Sequence, residues 1–172
     1  MATKKSSDQY VNVIKKKVTM SAVNTAEFEE IEVGLNLFDK IGLLIHRISY
    51  YPSDYSWSAL VSAADAFVAG IVGSNQISTL NADERSVLDV MSLDVAHAGT
   101  PANFEIHNSP IIHDFSTFPG GGLLVPPKPL YAGVDTADFG AAGEVTVVLH
   151  FTIKQLADAD YLELIETFRF FD

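Results

Sequence analysis

Phe118-Pro119-Gly120-Gly121-Gly122-Leu123-Leu124-Val125-Pro126-Pro127-Lys128-Pro129-Leu130-Tyr131-Ala132-Gly133-Val134 and, after a loop over residues 135–143, Glu144-Val145-Thr146-Val147-Val148-Leu149-His150-Phe151-Thr152-Ile153 decide how this chain is read. The second run alternates. Val145, Val147, Leu149, Phe151 and Ile153 form an apolar face, while Thr146, Val148, His150 and Thr152 form a more polar one. That is the period of a half-buried strand, and its β-branched and aromatic residues suit a pleated surface. The first run opens on a glycine breaker and carries a stiff Pro-Pro-Lys-Pro segment. Together the two runs predict two long strands joined by a loop. Beyond them the period changes: Tyr161, Leu164, Ile165 and Phe168 fall at helical spacing, with Asp158 or Asp160 as cap, which predicts a short C-terminal helix.

Working toward the N-terminus, residues 27–37 alternate Ile31, Val33, Leu35 and Leu37 against Glu30, Glu32 and Asn36, and residues 41–51 are apolar on both faces. Both predict strands, the second of them central. Asp39-Lys40 is a turn candidate between them. Residues 64–74, 104–107 and 111–115 are further strands. Residues 10–20 make an edge strand interrupted by Lys15-Lys16-Lys17, since edges tolerate lysine. Asn81-Ala82-Asp83-Glu84, followed by Val87, Leu88 and Met91, reads as a capped short helix or helical turn. No βαβ alternation and no internal repeat occur. About eight strands with uneven connections predict an all-β fold, an eight-stranded jelly-roll β-sandwich with one or two short helices.

The chain has 172 residues, 48% of them hydrophobic and 19% charged, enough for one domain with a sizeable core. The expected organisation is a flexible basic arm over residues 1–9 and a single domain over 10–172. A mean hydropathy of +0.19 leaves room for apolar surface buried against other subunits. No apolar run reaches the ~20 residues of a membrane span. The chain lacks cysteine, which excludes disulfides and thiolate metal sites, and the start lacks the apolar middle of a signal peptide. Synthesis in a reducing cytoplasm is the expectation. The net charge of -11 is unevenly placed: residues 1–20 hold five lysines against Asp8, a balance of +4, and the remaining 152 residues carry -15. A basic end on an acidic body points to a tail that meets a polyanion, or to a solvated terminus.

Reaction chemistry is not visible. His46, His97, His107, His113 and His150 lack the i, i+2 or i, i+4 spacing of a metal site on one element. No serine stands in Gly-x-Ser-x-Gly, and Gly120-Gly121-Gly122 lacks the Lys-Ser/Thr of a phosphate loop. Acidic pairs such as Glu29-Glu30 read as a charged strand edge. No cofactor and no metal are expected, and an enzyme is the minor reading. Lys4, Lys5, Lys15, Lys16 and Lys17 are the candidate nucleic-acid contacts, nonspecific and salt-sensitive. Tyr50, Tyr51, Tyr55 and Trp57 form an aromatic cluster that serves as an interface anchor, a sugar-stacking platform or a cap on the core. With Pro126, Pro127 and Leu130 they are the candidate subunit contacts.

The lysine-bearing start, acidic eight-strand body and missing catalytic set resemble the single jelly-roll coat proteins of small icosahedral viruses. The block over residues 118–131, the strand over 145–153 and Leu156-Ala157-Asp158-Ala159-Asp160-Tyr161-Leu162-Glu163-Leu164-Ile165-Glu166 look like the C-terminal part of coat proteins of metagenomic single-stranded DNA viruses. The arm is shorter than in many such proteins and uses lysine where they use arginine. The resemblance implies many-copy self-assembly into an icosahedral shell around the genome, lysines facing nucleic acid, a location in the virion and no membrane partner. Two other readings stand beside it: a carbohydrate-binding β-sandwich of a spike or adhesin, stacking sugars on Tyr50, Tyr51, Tyr55 and Trp57, and a metal-dependent enzyme on a cupin-type jelly roll.

Overall fold

The computed structural model describes residues 10–34, 40–53, 64–73, 77–96, 110–137 and 142–168. The strands are β1 (Asn12–Thr19), β2 (Glu27–Ile31), β3 (Ile41–Ser53), β4 (Ala64–Val72), β5 (Val87–Ala96), β6 (Ile111–Asp114), β7 (Leu123–Val125), β8 (Leu130–Ala137) and β9 (Glu144–Gln155), followed by helix α1 (Asp158–Phe168). They form two antiparallel sheets. The first runs β1-β9-β3-β6, with β7 also on β3; the second runs β2-β8-β4-β5.

The nine strands among the described residues fill eight lanes. β6 pairs with Arg47 to Tyr50 of β3, and β7 pairs with Leu43 to Ile45 of the same edge. Counting that lane once, the first sheet takes strands one, eight, three and six, and the second takes two, seven, four and five. This interleaving is the double Greek key of a jelly roll, as the strand count predicts. Residues 115–122 leave the lane between its halves. β3 carries a bulge there, its register against β9 shifting between Ile45 and Arg47.

His46 is the extra residue of that bulge, and it fastens the gap. Its carbonyl accepts from the Phe115 N–H at 2.8 Å. Its Nδ1 lies 2.8 Å from the Gly121 carbonyl, and its Nε2 lies 3.0 Å from Thr152 Oγ1. A carbonyl only accepts, so Nδ1 carries the proton and, in the neutral ring, Nε2 accepts from Thr152. Gly121 has φ +81, a conformation glycine adopts without steric cost.

Two expectations are corrected here. Residues 123–134 are not one long strand: β7 lies in the first sheet and β8 in the second. Pro126, Pro127 and Pro129 offer no N–H to a ladder, and the chain crosses between sheets along them, with a Lys128 N–H to Pro126 O bond of 2.8 Å. Of the short helix or helical turn expected from Asn81, turns form and no helix follows them. Residues 81–86 form turns, with Glu84 N–H to Asn81 O at 3.1 Å and Val87 N–H to Glu84 O at 3.1 Å, and residues 87–96 are β5, paired with β4. The strand over residues 27–37 ends at Ile31 among the described residues, and the strand expected over 104–107 lies outside them.

The core lies between the sheets. Tyr50, Phe67, Ile41, Leu43, Ile45, Ile48, Ile71 and Leu149 are its largest fully buried side chains. The second sheet is also covered on its outer face: Leu80 of the β4–β5 connection and Phe28 lie over Gly133. A Cβ at Gly133 would sit 2.7 Å from the Phe28 ring and 3.1 Å from Leu80. Helix α1 forms where the sequence predicts, but its cap is Ala157, whose carbonyl accepts the Tyr161 N–H at 2.9 Å. Asp158 and Asp160 fall in the first turn, where they complement the helix dipole. The helix lies over the start of β3: Leu164 and Leu156 approach Gly42, whose missing side chain makes room for them.

Candidate assembly surface

The outer face of the first sheet follows from the ladder register. Across it run the rows Lys17–Thr146–Tyr51, then Lys15–Val148–Ser49–Ile112, then Val13–His150–Arg47–Asp114. Residues of one row are neighbours about 5 Å apart and point to the same side. Val13 is 50% exposed, Ile112 49% and Tyr51 41%, so three large apolar side chains stand in water among Lys15, Lys17 and Arg47. At the same edge Tyr10 and Val11 are 80% and 53% exposed. The register sets Tyr51 and Ile112 on adjacent strands one row apart, while Val13 lies at the opposite edge, with the buried Val148 and Ser49 between.

The charges of this face are partly committed. Lys17 Nζ lies 2.6 Å from Glu144 Oε2, and Lys16, on the opposite side of β1, lies 3.2 Å from Glu29 Oε2 of the second sheet. Arg47 donates to Asp114 Oδ2 at 3.2 Å. Hydrogen bonds from Ser116, side chain and backbone, with Arg47 adding to them, hold the Asp114 carboxyl below its usual range. Lys15 makes no ion pair among the described residues. Lys4 and Lys5 lie outside the described residues.

Two members of the aromatic cluster are described. Tyr50 and Tyr51 belong to β3 and point to opposite faces, while Tyr55 and Trp57 lie outside the described residues. Tyr50 is fully buried, so as a sugar platform or a contact its ring is already taken up by the chain's own core. Pro126, Pro127 and Leu130 are also buried in this chain. Phe168 lines, with Leu88, Val125, Pro126 and Leu130, a small cavity of about 20 Å³.

The polar group that sequence reasoning passed over is Asp89. It points into the sandwich from β5 and accepts the Tyr50 hydroxyl at 2.7 Å. His113 Nδ1 lies 2.8 and 2.9 Å from its two oxygens, and the His113 ring meets the Tyr50 ring edge-on at 5.7 Å. Burial, then the charge and hydrogen bond of Asp89, push the Tyr50 hydroxyl well above its ordinary pKa. The trio satisfies itself: one carboxylate receives two donors from the opposite sheet. Among the described residues no group of three metal-ligating side chains converges, and no helix is long and apolar enough to cross a membrane.

An open depression of about 620 Å³ lies on the outer side of the second sheet, lined by Asn24, Ser78, Thr79, Asn81, Ser92 and Asp135 among others. Asp135 accepts the Leu80 N–H at 3.3 Å and Thr136 Oγ1 the Asn24 N–H at 3.1 Å, which fixes the two loops that wall it.

No protein-family model and no curated protein matches the sequence. Solved structures do match. Merkel cell polyomavirus VP1 in complex with GD1a oligosaccharide aligns with a TM-score of 0.45 and 8% identity, over 86% of this chain and 95% of that one. VP1 of Trichodysplasia spinulosa-associated polyomavirus, in complex with GM1 oligosaccharide, aligns with a TM-score of 0.50 and 8% identity, over 86% of this chain and 96% of that one. What the chain shares with this viral capsid protein is its fold, the two antiparallel sheets in jelly-roll order.

Proposed function

We propose that this chain is a structural coat subunit, one that assembles through its sheet faces with other copies into an icosahedral shell enclosing a viral genome, and that it performs no catalysis. The observation that carries the reading is the outer face of the first sheet. There Tyr51 and Ile112 stand exposed on the adjacent strands β3 and β6, one row apart, and Val13 stands exposed at the opposite edge on β1. Large apolar side chains left exposed on neighbouring strands among charged ones mark protein contact surfaces. The resemblance to coat proteins of single-stranded DNA viruses belongs to the same reading, as does a place in the virion. Contact with nucleic acid falls to Lys4 and Lys5 first, because Lys16 and Lys17 already hold carboxylates of their own chain.

The test is the particle mass of the purified protein by sedimentation velocity, together with electron microscopy and the 260/280 nm absorbance ratio. Large closed particles are expected. A protein that stays monomeric at high concentration, with and without nucleic acid, rejects the proposal.

A second reading is glycan binding, and the depression beside Asp135 favours it. Amide, hydroxyl and carboxylate groups there offer the mixed donors and acceptors that sugar hydroxyls need. The polyomavirus protein of the same fold was solved with an oligosaccharide. Saturation-transfer NMR with sialylated oligosaccharides tests it, and signals that survive Asp135→Ala and Asn81→Ala together would place the sugar elsewhere.

A further inference from the structure

We infer that the depression on the outer side of the second sheet takes neutral saccharides and discriminates against sialylated ones. The inference rests on the glycan reading and narrows the class of sugar which that reading admits.

The floor of the depression is built by strand register. Asp135 of β8 and Ser92 of β5 are both partners of Val68 of β4, so the three side chains stand side by side on the outer face. Carboxylate and hydroxyl are therefore two strand spacings apart, about 10 Å, with an apolar side chain between them. Val68 is half-buried, and the buried Leu80 packs beside it, which gives the C–H face of a sugar ring an apolar surface to lie on. Ser78 and Asn81 stand on the wall, and the enclosed space of about 620 Å³ falls in the range of small-ligand clefts. Hydroxyls and amides both donate and accept, while a carboxylate accepts from sugar hydroxyls. The Leu80 N–H, donated to Asp135 Oδ2 at 3.3 Å, fixes that carboxylate against the loop.

Charge decides which sugars fit. Among the described residues that line the depression there is no lysine, arginine or histidine. The same holds for the whole second sheet: β2 carries three acidic residues, β5 two, β4 and β8 one each, and none of the four strands carries a basic one. Every lysine, arginine and histidine in a described strand belongs to the first sheet. Lys16 reaches across from there, and it holds Glu29. A sialic acid carboxylate is bound where a cation or a set of N–H donors offsets its charge. In this depression it would face Asp135 instead, and like charges about 5 Å apart weaken binding by ~3-fold or more even at the dielectric of water. A ligand with many hydroxyls and no charge meets donors and acceptors without that repulsion.

The test is a panel of neutral oligosaccharides, each paired with its sialylated form, titrated against the full chain in low salt and read by saturation-transfer NMR. The neutral member of a pair is expected to bind at least ~3-fold more tightly. Asp135→Asn keeps an oxygen to accept the Leu80 N–H and removes the charge, so it is expected to close that gap. Asn81→Lys, at an exposed wall position, is expected to shift the preference toward the sialylated member, which gives a second readout should Asp135→Asn fail to fold. A sialylated sugar bound as tightly as its neutral form by the unaltered chain overturns the inference and leaves the glycan reading standing. A preference that neither substitution moves also overturns it. A panel with no bound member removes the inference and the glycan reading together.

Discussion

Tyr50 donates its hydroxyl to Asp89 Oδ2 at 2.7 Å, and that bond ties β3 of the first sheet to β5 of the second. Both groups sit where water does not compensate a lost partner, Tyr50 fully buried and the Asp89 side chain 12% exposed. Tyr50→Phe removes one donor and leaves His113 on the carboxylate, at an expected cost of about 1–3 kcal/mol. Asp89→Ala strands the tyrosine hydroxyl and the His113 N–H together and is expected to cost more. Urea denaturation of the two variants checks the order, and equal costs would mean that the carboxylate does not join the sheets.

Alkali is expected to destabilise the fold through the same phenol. Its folded pKa is raised, by burial first and Asp89 next, above an ordinary value of 10.0. The folded state then holds the proton while the unfolded state releases it. Stability is therefore complete below pH 10 and falls as pH rises through the folded pKa, with a slope approaching ~1.4 kcal/mol per pH unit from this one group. Tyr50→Phe abolishes that slope. Stability curves from pH 8 to 11.5 for the two proteins decide it, and parallel curves would count against the assignment.

Asp89 also explains what the sequence hid. β9 is legible because its inner positions are apolar without a break, from Val145 to Ile153, and β3 because both of its faces are apolar, although the bulge at His46 switches which residues turn inward. β5 is not, because its inner face reads Asp89, Met91, Leu93: the one carboxylate that must be inside disturbs the alternation. With Asn81 and Glu84 imitating a helix cap upstream, Val87, Leu88 and Met91 then fit a helix better than a strand. The partners that make it a strand, Gly70, Ala69 and Phe67, are some twenty residues away and outside any local window. The assembly patch was hidden for a related reason. Tyr51 and Ile112 are unremarkable singly, and only the register of β3 with β6 sets them side by side.

Gly122 is expected to reject any side chain. A Cβ there would stand 2.5 Å from the Ile45 carbonyl and 3.1 Å from Leu44, so backbone must move. Gly122→Ala should therefore pull β7 away from β3 and destabilise the fold by about 1–3 kcal/mol. His46→Ala removes the ring contacts to Gly121 and Thr152 at the same gap, for about 1–2 kcal/mol. Amide exchange localises both effects: faster exchange confined to the strands around residues 43–46 and 123–125 is the expected signature, and uniform loss of protection would argue against a local role.

Helix docking rests on Leu164 more than on charge. Leu164 is 9% exposed and meets the room left at Gly42. Leu164→Ala is expected to cost about 2–3 kcal/mol. Lys40 Nζ to Asp158 Oδ1, at 2.8 Å, joins two side chains that are 50% and 78% exposed, so Asp158→Asn should change stability by less than ~1 kcal/mol. Thermal melts rank the pair, and a larger effect at Asp158 would reverse the account of what holds the helix.

The lysine triplet is expected to divide by position. Lys17 lies 2.6 Å from Glu144, whose side chain is only 13% exposed, whereas Lys15 points outward on the other sheet row with no ion pair among the described residues. Lys17→Met takes the cation from a largely covered carboxylate and should destabilise the subunit by about 1 kcal/mol. Lys15→Met should leave subunit stability within ~0.5 kcal/mol, since the methionine keeps the apolar stem and no ion pair among the described residues is lost. Its effect belongs instead to association, where an outward cation on the contact face is removed. Measuring denaturation and sedimentation on both proteins separates the two roles. Lys15→Met that melts early while assembling normally would show that this face is held by the subunit itself and not kept for a neighbour.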